Sequence, residues 1–145
     1  MRTIRTDIVI QAERNKIWDI LCDFPSYPDW NPFIKEISGE LTPGARLSVT
    51  MQIEGRKPTS FRPEVISANP PEKFCWRGKL FVKGVFDGTH YFILEEMDGG
   101  VTKLIQGENF QGLFAGPILR QIEKATLKGF EGMNQALKEK AETTR

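Results

Sequence analysis

The stretch His90-Tyr91-Phe92-Ile93-Leu94-Glu95-Glu96-Met97-Asp98-Gly99-Gly100-Val101-Thr102-Lys103-Leu104-Ile105-Gln106-Gly107-Glu108-Asn109-Phe110 decides the fold. Apolar residues recur at alternate positions on both sides of Asp98-Gly99-Gly100, and a glycine turn between two such runs closes a hairpin. The arms must be antiparallel neighbours, because a parallel pair needs a crossover of about a dozen residues or more. On the first arm His90, Phe92 and Leu94 share a face opposite Tyr91, Ile93 and Glu95. On the second, Thr102, Leu104, Gln106, Glu108 and Phe110 oppose Val101, Lys103, Ile105, Gly107 and Asn109. Period two alone leaves open which set is inward, and a slip of a single residue inverts it.

Upstream, short connections join more strands. Leu47, Val49, Met51 and Ile53 alternate with polar residues and mark one buried face. Strands are expected over residues 61–67, 74–80 and 85–97, with a break at Asn69-Pro70-Pro71. Their inward sets are taken as Phe61, Pro63 and Val65, then Phe74, Trp76 and Gly78. At the start, residues 6–12 read as a strand through Ile8 and Ile10. A short helix carrying Ile17, Trp18, Ile20 and Leu21 should follow from residue 13, and Pro25 and Pro28 end it. Room remains before Phe33 for one more helical turn.

Downstream of the hairpin the period changes. Ile118, Leu119, Ile122, Ala125, Phe130, Met133 and Leu137 form a helical stripe over residues 116–142, with Pro117 suited to its first turn. Gly129 and Gly132 stand inside that helix, where glycine is costly. They either admit a close neighbour or are simply tolerated. The order is therefore strand, two short helices, six more strands and one long amphipathic helix. Only that helix can cover the sheet's apolar face, and the space beneath it is the expected ligand cavity.

Composition limits the chemistry. The 145 residues suit one domain over 1–145, and a formal net charge of +1 offers no field for nucleic acid. The aromatics are skewed to 10 Phe and 3 Trp against 2 Tyr, beside a single His. Cys22 and Cys75 form no CxxC pair, so free, buried thiols are expected rather than zinc. The start is charged and no apolar run reaches the length of a membrane span. A cytoplasmic protein without stable membrane insertion is expected. There is no GxGxxG, P-loop, HExxH or GxSxG motif, so no cofactor and no metal are expected. Nothing in the pattern sets an oligomeric state.

Four local motifs occur together in order. They are Ile10-Gln11-Ala12 before Ile17-Trp18; Phe24-Pro25-Ser26-Tyr27-Pro28-Asp29-Trp30-Asn31-Pro32; the hairpin continued to Gly112; and Phe130-Glu131-Gly132-Met133-Asn134. Across nearly the whole chain the sequence resembles the START-like, or Bet v 1-like (SRPBCC), superfamily, in its polyketide cyclase/dehydrase-like branch. The resemblance implies an α+β helix-grip fold. That is a curved seven-stranded antiparallel sheet around a long C-terminal helix, with two short helices between strands 1 and 2. It favours the His90 and Gln106 sets as inward. It implies binding, or transport, of a small hydrophobic molecule such as a lipid or polyketide.

Candidate ligand-binding residues follow from parity and that resemblance. The sheet supplies Met51, Phe61, Trp76, His90, Phe92, Gln106, Glu108 and Phe110. The long helix supplies Phe130 and Met133, and the short helical segment supplies Tyr27 and Trp30 at the cavity mouth. His90 and Glu108 are also the candidate catalytic pair, since a carboxylate beside an imidazole can move protons. The plainer reading, and the preferred one, is a structural network in which His90, Gln106 and Glu108 satisfy one another. The alternatives to ligand binding are a cyclase or dehydratase using His90 and Glu108, and an Hsp90-activator-like interaction module. No charge asymmetry marks the surface that the last would need.

Overall fold

The computed structural model describes residues 2–79, 87–111 and 117–144. Strand β1 (Arg2–Ile10) leads into helix α1 (Arg14–Cys22), a 3-10 turn (Phe24–Ser26) and the single-turn α2 (Tyr27–Trp30). Seven strands follow: β2 (Ile34–Ser38), β3 (Ser48–Met51), β4 (Thr59–Phe61), β5 (Glu64–Asn69), β6 (Lys73–Lys79), β7 (Asp87–Met97) and β8 (Val101–Gln111). Helix α3 (Pro117–Thr143) closes the chain. The expected strand ends at Leu80 and Val85, and the side chains of Ile118, Leu119 and Ile122, lie outside the described residues.

The described residues form eight strands rather than the expected seven, in sheets ordered β1-β8-β7-β6-β5 and β2-β3-β4. The extra strand comes from the split of one expected run, and a second local feature hides the place of β2. The run expected over 61–67 breaks at Arg62-Pro63, where proline has no N–H for the ladder. Strand β2 escapes a period-two reading because a bulge lies between Ile34 and Glu36, which places the buried Ile34 and Ile37 three residues apart. The sheets are joined where residues 44–47 run beside 63–65. Leu47 N–H donates to the Pro63 carbonyl at 2.9 Å, and Val65 N–H to the Ala45 carbonyl at 2.8 Å. The short helices are also three pieces rather than two, because Pro25 and Pro28 divide the segment after α1 into a 3-10 turn and α2.

Burial follows the inward sets. Leu47, Val49, Met51, Val65, Phe74, Trp76, Phe92, Leu94, Leu104 and Phe110 all belong to one core. Helix α3 lies along β1 with both running the same way. Gln11 N–H donates to Glu142 Oε2 at 2.7 Å, Lys138 Nζ to the Val9 carbonyl at 3.1 Å, and Asn134 Nδ2 to Thr6 Oγ1 at 2.8 Å. From Lys138 to Glu142 the helix climbs about 6 Å while Val9 to Gln11 climbs about 7 Å; from Asn134 to Lys138 the strand advances three residues, and the long Lys138 side chain spans the difference.

The two helical glycines differ. A Cβ on Gly129 would stand 2.4 Å from Cδ1 of Phe33, whose ring is fully buried against Phe130. A Cβ on Gly132 would meet only Pro32 Cγ, at 3.7 Å. Gly129 is therefore required by a close neighbour and Gly132 is merely tolerated. Gly129→Ala is expected to destabilise by about 1–2 kcal/mol, overpacking outweighing the gain in helix propensity. Gly132→Ala should stabilise by up to about 1 kcal/mol. Thermal unfolding of both variants checks the opposite signs, and equal effects would overturn the account.

Candidate functional site

The inward face of the larger sheet is a set of rows, each read straight across the strands. One row is Phe74, Phe92, Gln106 and Thr6 from β6 to β1. The next is Trp76, His90, Glu108 and Ile4. In the third, Gly78, Gly88 and Phe110 are inward, and the backbone of Arg2 pairs with Phe110. Alternation sets which residues are inward; only strand pairing puts residues so distant in sequence in one row.

His90 lies at the centre and is 1% exposed, as is Glu108. The imidazole stacks on Trp76 at 5.1 Å and 18°, meets the Phe130 ring edge-on at 5.0 Å, and lies 4.8 Å from Phe92. Both its nitrogens are engaged. Nε2 is 3.0 Å from Gln106 Oε1 and Nδ1 is 3.2 Å from Glu108 Oε1.

The proton positions follow from an end that can only accept. Thr6 Oγ1 donates to the Gln106 backbone carbonyl at 2.8 Å, so the same hydroxyl accepts from Asn134 Nδ2. That turns Asn134 Oδ1 toward Gln106 Nε2, 2.7 Å away, and leaves Gln106 Oε1 facing His90. Gln106 Nε2 also faces the Phe130 carbonyl at 3.4 Å. His90 therefore carries its proton on Nε2. One further proton is shared between Nδ1 and the Glu108 carboxyl, and the pair is neutral as a unit wherever that proton resides. A buried polar group costs little when its partners are present, and this relay supplies them.

Sequence reasoning brought His90, Gln106 and Glu108 together but missed Thr6 and Asn134. Signals for both exist. Thr6 has the inward parity of Ile4 and Ile8, and Asn134 stands one turn after Phe130 on the apolar stripe of α3.

The other expected residues are placed as follows. Trp76, Phe92 and Phe130 surround His90, and Met51, Phe110 and Met133 are buried in the same core. Phe61 is half-buried and lies over Gly78, whose Cβ would be 3.2 Å from its ring. Tyr27 is fully buried, and its hydroxyl donates to the Leu21 carbonyl rather than reaching a cavity mouth. Its ring packs on half-buried Trp30 at 5.1 Å. Trp18, expected under the first helix, meets Phe74 edge-on at 5.6 Å. Both cysteines are free and half-buried, and burial together with Asp19 pushes the Cys22 thiol up to about 12.

Among the concavities lined by described residues are four at the surface, and none of these four is lined by His90, Gln106 or Glu108. One of them, of about 560 Å³, lies between Phe24, Pro25 and Pro28 and the outer face of β2, β3 and β4. Among the described residues no group of three or more His, Cys, Asp or Glu side chains could hold a metal ion. No helix there is long and apolar enough to cross a membrane.

A family model described as polyketide cyclase/dehydrase and lipid transport matches residues 1–142. The chain belongs to this family. Its START-like fold recurs in solved structures at low identity. The Zhui aromatase/cyclase from a Streptomyces species superposes with a TM-score of 0.80 at 16% identity, over 97% of this chain and 93% of that one. A START superfamily protein from Mycobacterium smegmatis gives 0.76 at 19% identity, with 99% of each chain covered. A hypothetical protein from Helicobacter pylori gives 0.79 at 16%, over 97% and 88%. These likenesses concern the fold. No curated protein matches the chain. Within the family's architecture, this member's sheet offers a polar relay walled in by rings.

Proposed function

We propose that this chain binds, and carries, a small hydrophobic molecule such as a lipid or polyketide between the aromatic sheet face and α3. The observation that carries the reading is the third row. Gly78 and Gly88 are paired neighbours on β6 and β7, so two adjacent inward positions have no side chain. Strands lie about 4.8 Å apart, so Gly88 leaves a bare position one strand spacing from Phe110. The Trp76–His90 stack bounds it on one side and Phe110 flanks it across β8, while at Gly78 the Phe61 ring and Pro63 Cβ each stand 3.2 Å from where a side chain would begin and close the β6 end. The polar groups of the next row already satisfy one another, which suits an apolar skeleton with few polar atoms. The family's description, cyclase/dehydrase and lipid transport, points the same way.

The test is titration of the purified protein with oleate and with 2-naphthol, followed by tryptophan emission and calorimetry. Saturable binding with a change in Trp76 emission, lost in Trp76→Phe, is expected. Absence of saturable binding to either class would overturn the proposal.

A second reading, proton transfer by His90 and Glu108, is favoured by their 3.2 Å contact beside the bare row. Since His90 Nε2 is committed to Gln106, only the shared Nδ1–Glu108 proton could take part, with Glu108 as the exchanging group.

A further inference from the structure

Among the described residues, the buried side-chain atoms without a hydrogen-bond partner are Arg14 Nε, Trp30 Nε1, Asn31 Nδ2 and Thr126 Oγ1. The last stands on the face that α3 turns to the sheet. Thr126 is 1% exposed and precedes Phe130, Met133 and Leu137 by four, seven and eleven residues, so it shares their stripe. A helical threonine commonly returns its hydroxyl to a carbonyl of the preceding turn; here Oγ1 has no partner. An orphaned hydroxyl in this core conflicts with the full pairing of Thr6, Gln106 and Asn134.

Its height in the fold is set by the contacts of α3 with β1. Asn134 is level with Thr6, since its amide meets both Thr6 and Gln106 of that row. Eight residues before Asn134 the helix has descended about 12 Å, which is roughly four strand residues. Thr126 is therefore level with Arg2, in the row of Phe110, Gly88 and Gly78. The halfway point agrees: Phe130 should be level with Ile4, and its ring touches His90 of that row.

We infer that Thr126 is the polar anchor of the bound molecule. The ligand is then a flat, largely aromatic skeleton over Gly88, carrying a hydroxyl or carbonyl on the edge that faces α3. This rests on the proposed hydrophobic-ligand reading and adds a polar requirement to it. The hydroxyl can both donate and accept, so either oxygen type satisfies it. It also excludes a pure hydrocarbon as the best ligand, because that would leave the hydroxyl unpaired.

Two probes of one shape test this: 2-naphthol, and 2-methylnaphthalene with a methyl in place of the hydroxyl. Calorimetric titration of the whole chain is compared with Thr126→Val, which has the same shape without the oxygen, and with Thr126→Ser, which keeps it. Thr126→Val should weaken 2-naphthol about threefold to tenfold and leave 2-methylnaphthalene unchanged or tighter, while Thr126→Ser retains the preference for 2-naphthol. Removing an unpaired buried hydroxyl should also leave the ligand-free melting temperature of Thr126→Val equal or higher. Equal effects on the two probes, or no effect on either, would overturn the anchor while leaving the hydrophobic site standing. A lowered melting temperature would show the hydroxyl already partnered and would likewise overturn it. Failure of both probes to bind the unaltered chain overturns the anchor, and the hydrophobic-ligand reading falls with it only where oleate also fails to bind.

Discussion

Glu108→Leu is expected to lower stability by about 1–3 kcal/mol, whereas Glu108→Gln should remain within about 1 kcal/mol of the unaltered chain. The two substitutions change volume little, so the difference isolates the hydrogen bond to His90. With leucine at 108, Nδ1 of His90 is left unpaired inside a wall of Trp76, Phe92 and Phe130. The ring cannot turn it to water without also surrendering the contact of Nε2 with Gln106. With glutamine, an amide N–H points at the Nδ1 lone pair and the relay stays closed. Urea unfolding of both variants measures the gap. If leucine is tolerated as well as glutamine, the relay is absent in solution. The glutamine variant also separates the two functional readings. It keeps fold and ligand binding, but has no carboxyl to exchange a proton, so any activity that survives in it is not acid/base chemistry of this pair.

Phe130→Ala should cost about 3–5 kcal/mol, which for a chain of this size corresponds to a melting temperature lower by roughly 10–16 °C. The ring is held edge-on to His90 at 5.0 Å and to Phe33 at 5.5 Å. Phe33 in turn is seated against Gly129, so it cannot move in to fill the void without losing that seat. Phe130→Leu, which keeps most of the volume, should cost no more than about 1.5 kcal/mol. Calorimetric unfolding of the pair decides the matter, and an alanine variant within 1 kcal/mol of the leucine variant would show that this part of the core collapses freely.

Much of the architecture was readable because its causes are local. A glycine turn between two alternating runs demands an antiparallel hairpin, and the change from period two to a helical stripe marks α3. Where reading failed, a local cause is also visible. Pro63 splits an apolar run that alternates without a break, and the bulge before Glu36 spaces Ile34 and Ile37 as no flat strand would. Tyr27 shows a different limit. Its position in a proline-rich segment suggests a mouth residue with a free hydroxyl, yet the carbonyl that takes that hydroxyl belongs to α1, six residues earlier.

The sequence by itself determined that Gln106 and Glu108 share one face of their strand and that His90 shares a face with Phe92 on the other, since side-chain direction along a strand depends only on residue parity; the family resemblance pointed both faces inward. The sequence could not determine what completes them. Thr6, Gln106 and Asn134 meet because β1 pairs with β8 and because α3 runs level with β1, and each is a contact across about a hundred residues or more of chain. The same two facts bring the orphaned hydroxyl of Thr126 level with the paired glycines. Parity is a property of neighbours in sequence; strand order and helix height are properties of the packed whole, and they assemble the candidate site.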